Sequence, residues 1–378
     1  MSATSLTSAE ARRAGGVLTI DLDALAANWT LYADMAKASG AEAAAVVKAC
    51  SYGLDAAHTA PALARAGCET FYVATIDEGI ALRDILGPDA TIRVFNGLMD
   101  GAERDFTAHG LTPVLNSLGD LDAWRAFCSG LGEALACALH IDSGMGRLGL
   151  DQREFEHLAD DPEHLVGLKL ECVLSHLACA EETDTPYNAQ QLARFSAALK
   201  RLPATRASFA NSSGVFLGPD YHFDEVRPGA ALYGVNPTPN EPNPMAQVVR
   251  LQAKILQTRT IDTPQGVGYG ATHQAKASDR IATLAAGYAD GYPRSLSGVG
   301  DAYIGALHAP IVGRVSMDLI TINVTDIPEH LTHPGQLVDL IGPLNPVDDV
   351  AAKAGTIGYE MLTSLGARYH RVYLGQGR

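Results

Sequence analysis

Short apolar runs alternate with amphipathic stretches along residues 43–229. The runs are AAAVVKA (43–49), TFYVAT (70–75), TIRVFN (91–96), LTPVLN (111–116), ACALHID (136–142), GLKLECVLSHL (167–177), RASFAN (206–211) and FDEVRPG (223–229). Such runs are typical of strands buried on both faces, and stretches between them, such as DEGIALRDIL, have helical periodicity. Eight strand–helix repeats predict an α/β fold with a (β/α)8 TIM-type barrel, and a doubly wound parallel sheet is the alternative.

The pattern changes at GVNPTPNEPNPMAQ, a segment that contains four prolines. Proline lacks a backbone donor and cannot continue a helix, so we predict an extended linker over 237–245. The barrel would then occupy residues 23–236. Residues 246–378 contain turn-punctuated β patterns such as APIVGRVSMDLITINV and predict a mostly β domain. The N-terminal segment 1–22 includes the strand VLTIDL, which we expect to pair with the sheet of that domain.

Composition narrows the class of protein. In this chain of 378 residues, 47% are hydrophobic and 19% are charged, which allows a large buried core. The formal net charge of −15 argues against a nucleic-acid or anionic-membrane surface. No apolar run is long enough for a membrane span, so we expect a cytoplasmic protein. The six cysteines form no CxxC pair, which predicts free and mostly buried thiols and no metal site.

Polar residues follow the predicted strands at the carboxyl ends, where barrel enzymes collect their reactive groups. They are Lys48 and Tyr52, Arg147, His176, Asn211 and Ser212, and Arg227 and Gly229. Each is ambiguous alone, because a lysine can extend to solvent, a histidine can be a core residue and an arginine can form a surface pair. Their convergence on one face favours a functional site.

The same residues have the chemistry of a cofactor site. Lys48 ends an apolar strand, where partial desolvation allows a lysine amine to form a Schiff base. The small residues of SSG and RPGA allow backbone amides to approach a phosphate, with hydroxyl groups from Ser212 and Tyr52. A lysine, a phosphate cup and a partner for a ring nitrogen are what pyridoxal 5'-phosphate requires.

Nine ordered motifs give the chain a specific resemblance. They are VVKACSYG, HIDSGMGRLG, LSHLA, ANSSG and VRPGAALYG in the barrel, and VGYGATH, AAGYADGYPR, IVGRVSMD and GYEML in the second domain. With these motifs the chain resembles alanine racemase, the fold-type III pyridoxal-phosphate family. The resemblance implies an enzyme that interconverts L-alanine and D-alanine by a two-base mechanism, either to supply D-alanine for peptidoglycan or to catabolise it.

The resemblance also implies residue roles. Lys48 would carry the cofactor and act as the base on the D face, and Tyr269 would be the base on the L face. Arg227 would hold the pyridine nitrogen, which stays unprotonated because a guanidinium does not readily give up its proton. His176 would link Arg227 with the tyrosine base.

Further residues would bind the cofactor and the substrate. Arg147 would contact the cofactor phenolate oxygen and the substrate carboxylate, with a backbone donor from Met317, and Tyr288 would restrict the entrance. The cofactor phosphate and its surroundings would be held by Tyr52, Asn211, Ser212, Gly229, Ala230 and Tyr359. The resemblance further implies a homodimer in which two chains share each active site.

Three departures from the family pattern stand out. Cys50 and Ser51 follow the KA dipeptide where the family usually has Asn or Asp and then Ala. Asp55 replaces a common glycine, and we expect it to cap the following helix. His140 occupies the position where many members carry a carbamylated lysine, so another group or a bound anion must orient Arg147.

Alternative functions remain at this stage. A racemase of serine or another small amino acid would use the same scaffold. An amino-acid decarboxylase normally pairs the ring nitrogen with an acid, and Arg227 argues against it. A non-catalytic pyridoxal-phosphate binding protein would need only the barrel, whereas this chain adds a second domain with Tyr269 and Met317.

Overall fold

The computed structural model describes residues 9–375, which form two compact units. The barrel unit comprises residues 25–232 and 236–245. The β unit comprises residues 9–24, 233–235 and 246–375 within the described range. The proline-rich segment therefore groups with the barrel unit, and the chain's first strand groups with the β unit.

The first described elements are helix α1 (Ala9–Arg13), strand β1 (Gly16–Asp21) and helix α2 (Leu22–Ala38). The α2 helix begins directly after β1, and the Asp21 carboxylate accepts a hydrogen bond from the Ala24 amide at 2.9 Å. This contact satisfies one of the free amides in the first turn of the helix.

The barrel unit alternates parallel strands with helices. Its strands are β2 (Glu42–Ala43), β3 (Ala45–Val46), β4 (Thr70–Val73), β5 (Thr91–Val94), β6 (Thr112–Leu115), β7 (Ala136–His140), β8 (Lys169–Leu174), β9 (Arg206–Asn211) and β10 (Glu225–Arg227). Its remaining helices are α3 (Lys48–Tyr52), α4 (Ala56–Arg65), α5 (Ile76–Leu86), α6 (Glu103–Ala108), α7 (Leu118–Leu131), α8 (Gln152–Asp160) and α9 (Pro186–Leu199). The strand order is β2-β10-β9-β8-β7-β6-β5-β4-β3.

The sheet closes on its first strand. The segments β2 and β3 are separated only by Ala44, whose amide donates to the Val226 carbonyl at 2.9 Å. On the other side, the Val47 amide donates to the Tyr72 carbonyl at 2.9 Å. One interrupted strand thus joins both ends of the sheet, so the nine segments make eight strands. The predicted barrel is confirmed, and the open doubly wound alternative is wrong.

The β unit is built mainly from antiparallel strands. They are β11 (Val249–Thr260), β12 (Gln265–Val267), β13 (His273–Ala275), β14 (Arg280–Leu284), β15 (Asp301–Ile304), β16 (Leu307–Pro310), β17 (Ile320–Asn323), β18 (Leu337–Ile341) and β19 (His370–Leu374), with helices α10 (Val347–Ala354) and α11 (Gly358–Ser364). Strand β1 lies between β11 and β19, antiparallel to the first and parallel to the second. In this register Leu18 faces Leu251 on one side and Arg371 on the other.

The cysteines are all free thiols, as the sequence predicts. Four are buried, whereas Cys179 is half-buried and Cys50 is exposed. Within residues 9–375, every helix is too short or too polar to cross a bilayer.

Candidate active site

Lys48 begins a turn with unusual backbone geometry. Ala49, Cys50 and Ser51 have φ of 52°, 52° and 56°, and Tyr52 has φ of 53°, so four consecutive non-glycine residues are left-handed. Each such residue costs about 1–2 kcal/mol relative to a right-handed conformation. The Glu78 carboxylate supports the turn by accepting from the Ala49 amide at 2.7 Å. The turn thus stores strain beside the lysine that the sequence singled out.

The turn ends at the next helix. Gly53 has φ of 81°, and its amide donates to the Ala49 carbonyl at 2.8 Å. Asp55 then accepts from the Ala57 amide at 3.1 Å at the start of α4, so the predicted helix cap is confirmed.

Lys48 is half-buried among aromatic and cationic groups. Its Nζ lies 6.0 Å from the centroid of the Phe95 ring. Burial lowers the pKa of Lys48, Arg147 and Arg227 lower it further by charge repulsion, and Glu78 opposes them. The amine is therefore neutral at a lower pH than an ordinary lysine, which suits a nucleophile or a base.

Arg227 is buried and fixed at the end of β10. Its Nε donates to the Ser208 hydroxyl at 2.9 Å, and its Nη2 donates to the carbonyls of Ser175 and Phe209. The Nη1 group has no hydrogen-bond acceptor within residues 9–375. The guanidinium carbon also lies 5.8 Å from the centroid of the Phe95 ring. Arg227 therefore keeps donor capacity for another group.

Three predicted cofactor-binding residues, Tyr52, Ser212 and Gly229, lie together. The Gly229 amide donates to the Ser212 hydroxyl at 2.9 Å. A Cβ atom at Gly229 would lie 2.6 Å from the Tyr52 hydroxyl, so only glycine allows this approach. Burial raises the pKa of Tyr52, which keeps its hydroxyl protonated as a donor.

Ala230 and Asn211, two further predicted cofactor-binding residues, are neighbours of these residues in the chain. Ala230 follows in a short 3₁₀ turn, Ala230–Tyr233. The Asn211 side chain accepts from the Gly214 amide at 2.8 Å and so shapes the turn after β9.

Arg147 is exposed on a loop that Asp142 organises. The Asp142 carboxylate accepts from the amides of Gly144, Met145 and Gly146 at 2.7–2.9 Å. His176 follows β8, and burial together with the charges of Arg227 and Arg147 holds its pKa well below the usual range. A neutral His176 therefore lies near two cations in the mouth of the barrel.

Four of the predicted site residues belong to the β unit. They are Tyr269, Tyr288, Met317 and Tyr359. Tyr269 is 71% exposed and Met317 is 53% exposed. The turn of Tyr288 is hydrogen-bonded to the Met317 loop, because the Ala289 amide donates to the Met317 carbonyl at 2.9 Å. Tyr359 lies in α11.

Three residues that contact the barrel part of the site were not predicted from the sequence. They are Glu78, Phe95 and Asn116, which contact the Lys48 turn, Lys48 itself and His140. Phe95 and Asn116 lie directly after β5 and β6, the same position that singled out the predicted residues. Their position after a strand could therefore have identified Phe95 and Asn116 from the sequence. Glu78 could not have been identified in this way, because its pattern is that of an ordinary helix cap with Thr75.

Comparisons with known proteins match almost the whole length of the chain. The family models "Alanine racemase, N-terminal domain" and "Alanine racemase, C-terminal domain" match residues 20–237 and 248–373. An alanine racemase of Rhodospirillum rubrum is 51% identical over 96% of this chain and 97% of its own length. A catabolic alanine racemase of Mesorhizobium japonicum is 49% identical over 96% of this chain and 94% of its own.

A solved structure gives the same result. The crystal structure of alanine racemase from Bartonella henselae, with covalently bound pyridoxal phosphate, has a TM-score of 0.92 and 41% identity. The match covers 96% of this chain and 100% of that chain.

Proposed function

Because this chain belongs to the alanine racemase family and interconverts L-alanine and D-alanine with pyridoxal 5'-phosphate, we propose that Lys48 and Tyr269 are its two bases. Racemisation removes the α-hydrogen from one face of the substrate and returns a proton to the other, so it needs a proton-transfer group on each face. The cofactor, when bound, withdraws electrons from the α-carbon and makes its hydrogen acidic.

The environment of Lys48 is the observation that carries this proposal. Its pKa is lowered by burial and by the charges of Arg147 and Arg227, so its amine gives up a proton at a lower pH than an ordinary lysine does. For Tyr269, the support is its position in the motif GYGATH and its high exposure. An exposed phenol can be presented to another surface.

The residues of the barrel mouth fit the cofactor. The Ser212 and Tyr52 hydroxyls lie around the Gly229 backbone in a cradle that a Cβ atom at Gly229 would fill, and these hydroxyl donors suit a phosphate. The free Nη1 of Arg227 is a donor for the ring nitrogen, and Asn211 and Ala230 complete the surroundings. Arg227 keeps its own proton, so the ring nitrogen stays unprotonated.

The other residues orient the substrate. Arg147 would bind the substrate carboxylate, assisted by the Met317 amide, and neutral His176 would connect Arg227 with Tyr269. Tyr288 and Tyr359 would leave room only for small side chains, which favours alanine over larger amino acids.

We further infer a homodimer that shares its active sites. Tyr269 and Met317 are exposed at 71% and 53%, whereas a base that controls one proton works best shielded from water. A second chain can supply that cover in a twofold dimer. The six free thiols favour the reducing cytoplasm as its compartment.

Complementation between two inactive variants tests the shared site. Lys48→Ala removes the lysine, and Tyr269→Phe removes only the hydroxyl. After random exchange of chains, about half of the dimers are mixed, and each mixed dimer has one intact site. Activity should therefore recover to about a quarter of that of the unchanged protein.

A matched pair within one unit is the control. Lys48→Ala mixed with Arg227→Glu should stay inactive, because every barrel then carries a defect. Recovery in this control, or no recovery in the first mixture after exchange is verified by mass spectrometry, would contradict the shared site.

A further inference from the structure

Two segments of the β unit carry residues that the proposed function assigns to the substrate. They are the Tyr288 turn, residues 287–291, and the Met317 loop, residues 316–319. Their backbones are joined, because the Tyr288 amide donates to the Ser316 carbonyl at 3.0 Å and the Ala289 amide donates to the Met317 carbonyl at 2.9 Å. A Cβ atom at Gly287 would overlap the Met317 carbonyl, so glycine is needed for this close approach.

Both segments lie at the surface of the β unit. Tyr288 and Met317 are exposed. The Tyr288 turn also borders a cavity of about 590 Å³, which is lined on another side by Thr356 and Glu360. Segments with few buried apolar contacts open more easily than the core does, so their position depends strongly on their hydrogen bonds.

Arg368 binds both segments with one guanidinium. Its Nε and Nη2 atoms donate to the two carboxylate oxygens of Asp290 at 2.6 and 2.8 Å. Its Nη1 atom donates to the carboxylate of Asp318, in the Met317 loop, at 2.7 Å. Asp290 is buried and also accepts from the Gly287 amide at 2.8 Å, so its carboxylate closes the Tyr288 turn. The planar guanidinium thus makes charge-assisted hydrogen bonds to both segments at once.

We propose that Arg368 is a positioning residue that holds the Tyr288 turn and the Met317 loop in one arrangement and thereby limits the size of the substrate side chain. The backbone hydrogen bonds attach the two segments at one point, and the guanidinium adds a second point, which opposes rotation about the first. This inference rests on the proposed function, in which Tyr288 restricts the site and the Met317 amide assists in binding the substrate carboxylate.

Discrimination between alanine and 2-aminobutyrate tests this role. The two substrates differ by one methylene group, so the ratio of their kcat/KM values measures the size limit. Arg368→Gln removes the charge and the two-bond pair with Asp290. We expect the ratio to fall about fivefold or more, with a rise in KM for alanine that exceeds the change in kcat. An unchanged ratio would overturn the proposal.

Arg250→Gln is the matched control, because Arg250 forms the same kind of pair elsewhere in the β unit. Its Nε and Nη2 atoms donate to the buried Asp339 carboxylate at 2.8 and 2.9 Å. Arg250→Gln should also lower the free energy of unfolding, but it should leave the ratio within about twofold of that of the unchanged protein. An equal fall of the ratio in Arg250→Gln and Arg368→Gln would mean that loss of stability is the cause, and the proposal would fail.

Hydrogen exchange of the holoenzyme measures the two segments without reference to activity. Peptides that contain residues 287–291 and 316–319 should exchange faster in Arg368→Gln than in the unchanged protein, because their hydrogen bonds open more often. The same peptides should exchange at the unchanged rate in Arg250→Gln. Equal exchange in Arg368→Gln and the unchanged protein would show that Arg368 does not hold these segments.

Asp318→Ala covers the case in which Arg368→Gln folds poorly. Asp318 is exposed, and this variant retains the pair between Arg368 and buried Asp290. We expect faster exchange in residues 316–319 and a rise of about threefold or more in KM for alanine. If exchange and KM both stay unchanged, the link through Asp318 has no role and the proposal is wrong.

The role of Tyr288 is tested separately with Tyr288→Ala. If this variant leaves the ratio unchanged, the proposed function of Tyr288 fails and the size limit assigned to Arg368 fails with it, while the exchange measurement still decides whether Arg368 holds the two segments. If Tyr288→Ala lowers the ratio and Arg368→Gln does not, only the inference about Arg368 fails.

Discussion

At the scale of single residues, burial and opposing charges together determine the direction of the pKa shift of Lys48. Burial, Arg147 and Arg227 lower its pKa, and Glu78 raises it. In the proposed function Arg147 also binds the substrate, so one residue would both bind the substrate and lower the pKa of Lys48. This coupling follows from the convergence of several strand ends on one mouth.

Substitutions of Arg147 and of Glu78 should therefore shift the pKa of Lys48 in opposite directions. Only the neutral amine attacks pyridoxal phosphate, so covalent attachment to the apo protein should rise with pH up to the pKa of Lys48. Arg147→Gln removes a cation, which raises this pKa and should slow attachment about twofold to fivefold at pH 8. Glu78→Gln removes an anion, which lowers the pKa and should accelerate attachment.

Borohydride trapping followed by peptide mapping measures this attachment. The label should lie on the peptide that contains Lys48. A shift in the same direction for both variants, or a label on another lysine, would contradict the argument.

At the scale of elements, the turn Ala49–Tyr52 is the most strained segment beside the site. Four left-handed residues without a glycine persist because Glu78 and the Gly53 hydrogen bond hold them. Strain of this kind is tolerated where the surrounding structure determines the conformation. The turn therefore depends on α5, which carries Glu78.

Glycine should relieve part of this strain. Cys50 is exposed and has φ of 52°, so Cys50→Gly removes about 1–2 kcal/mol of strain at an entropic cost of about 0.5–1 kcal/mol. We expect the free energy of unfolding to rise by up to about 1 kcal/mol in urea titrations. The control is Ala81→Gly, an exposed position inside α5, which should lower it by about 1 kcal/mol. A loss of stability in both variants would contradict the strain argument.

The sequence predicted the elements better than their fine geometry. Buried parallel strands read as apolar runs, so the eight strands and the residues after them were recognisable. Nothing in ACSY indicates a left-handed turn, because residues of this type rarely adopt it. The contact between His140 and Asn116 was equally hidden, since Asn116 follows a different strand. Contacts between distant segments have no local signature.

At the scale of the whole molecule, a buried ionic cluster links strands on both sides of the barrel closure. The Arg93 guanidinium in β5 donates to both oxygens of Glu225 in β10, at 3.0 and 2.9 Å. The Tyr72 hydroxyl in β4 donates to the same carboxylate at 2.5 Å. Arg93 and Glu225 are 5% and 1% exposed, so both charges are shielded from bulk solvent.

Removing one charge from this cluster should lower the free energy of unfolding. Glu225→Gln leaves the Arg93 charge buried without a counter-charge, which should reduce the free energy of unfolding by about 3–5 kcal/mol. Glu42→Gln is the matched control, because Glu42 pairs with Arg206 at 2.6 Å on the surface. It should cost less than about 1 kcal/mol. Similar losses for both variants in urea titrations would contradict the argument.

The position of β1 has a consequence for synthesis of the protein on the ribosome. This strand leaves the ribosome before the barrel does, but Leu18 can pair only after Leu251 and then Arg371 have been synthesised. The barrel segment is synthesised after β1 and before β11. Its strands can therefore pair with one another while β1 is still an unpaired apolar strand. Exposed edges of this kind favour aggregation and chaperone binding. A nascent chain that stalls before β11 should therefore be the species that chaperones retain.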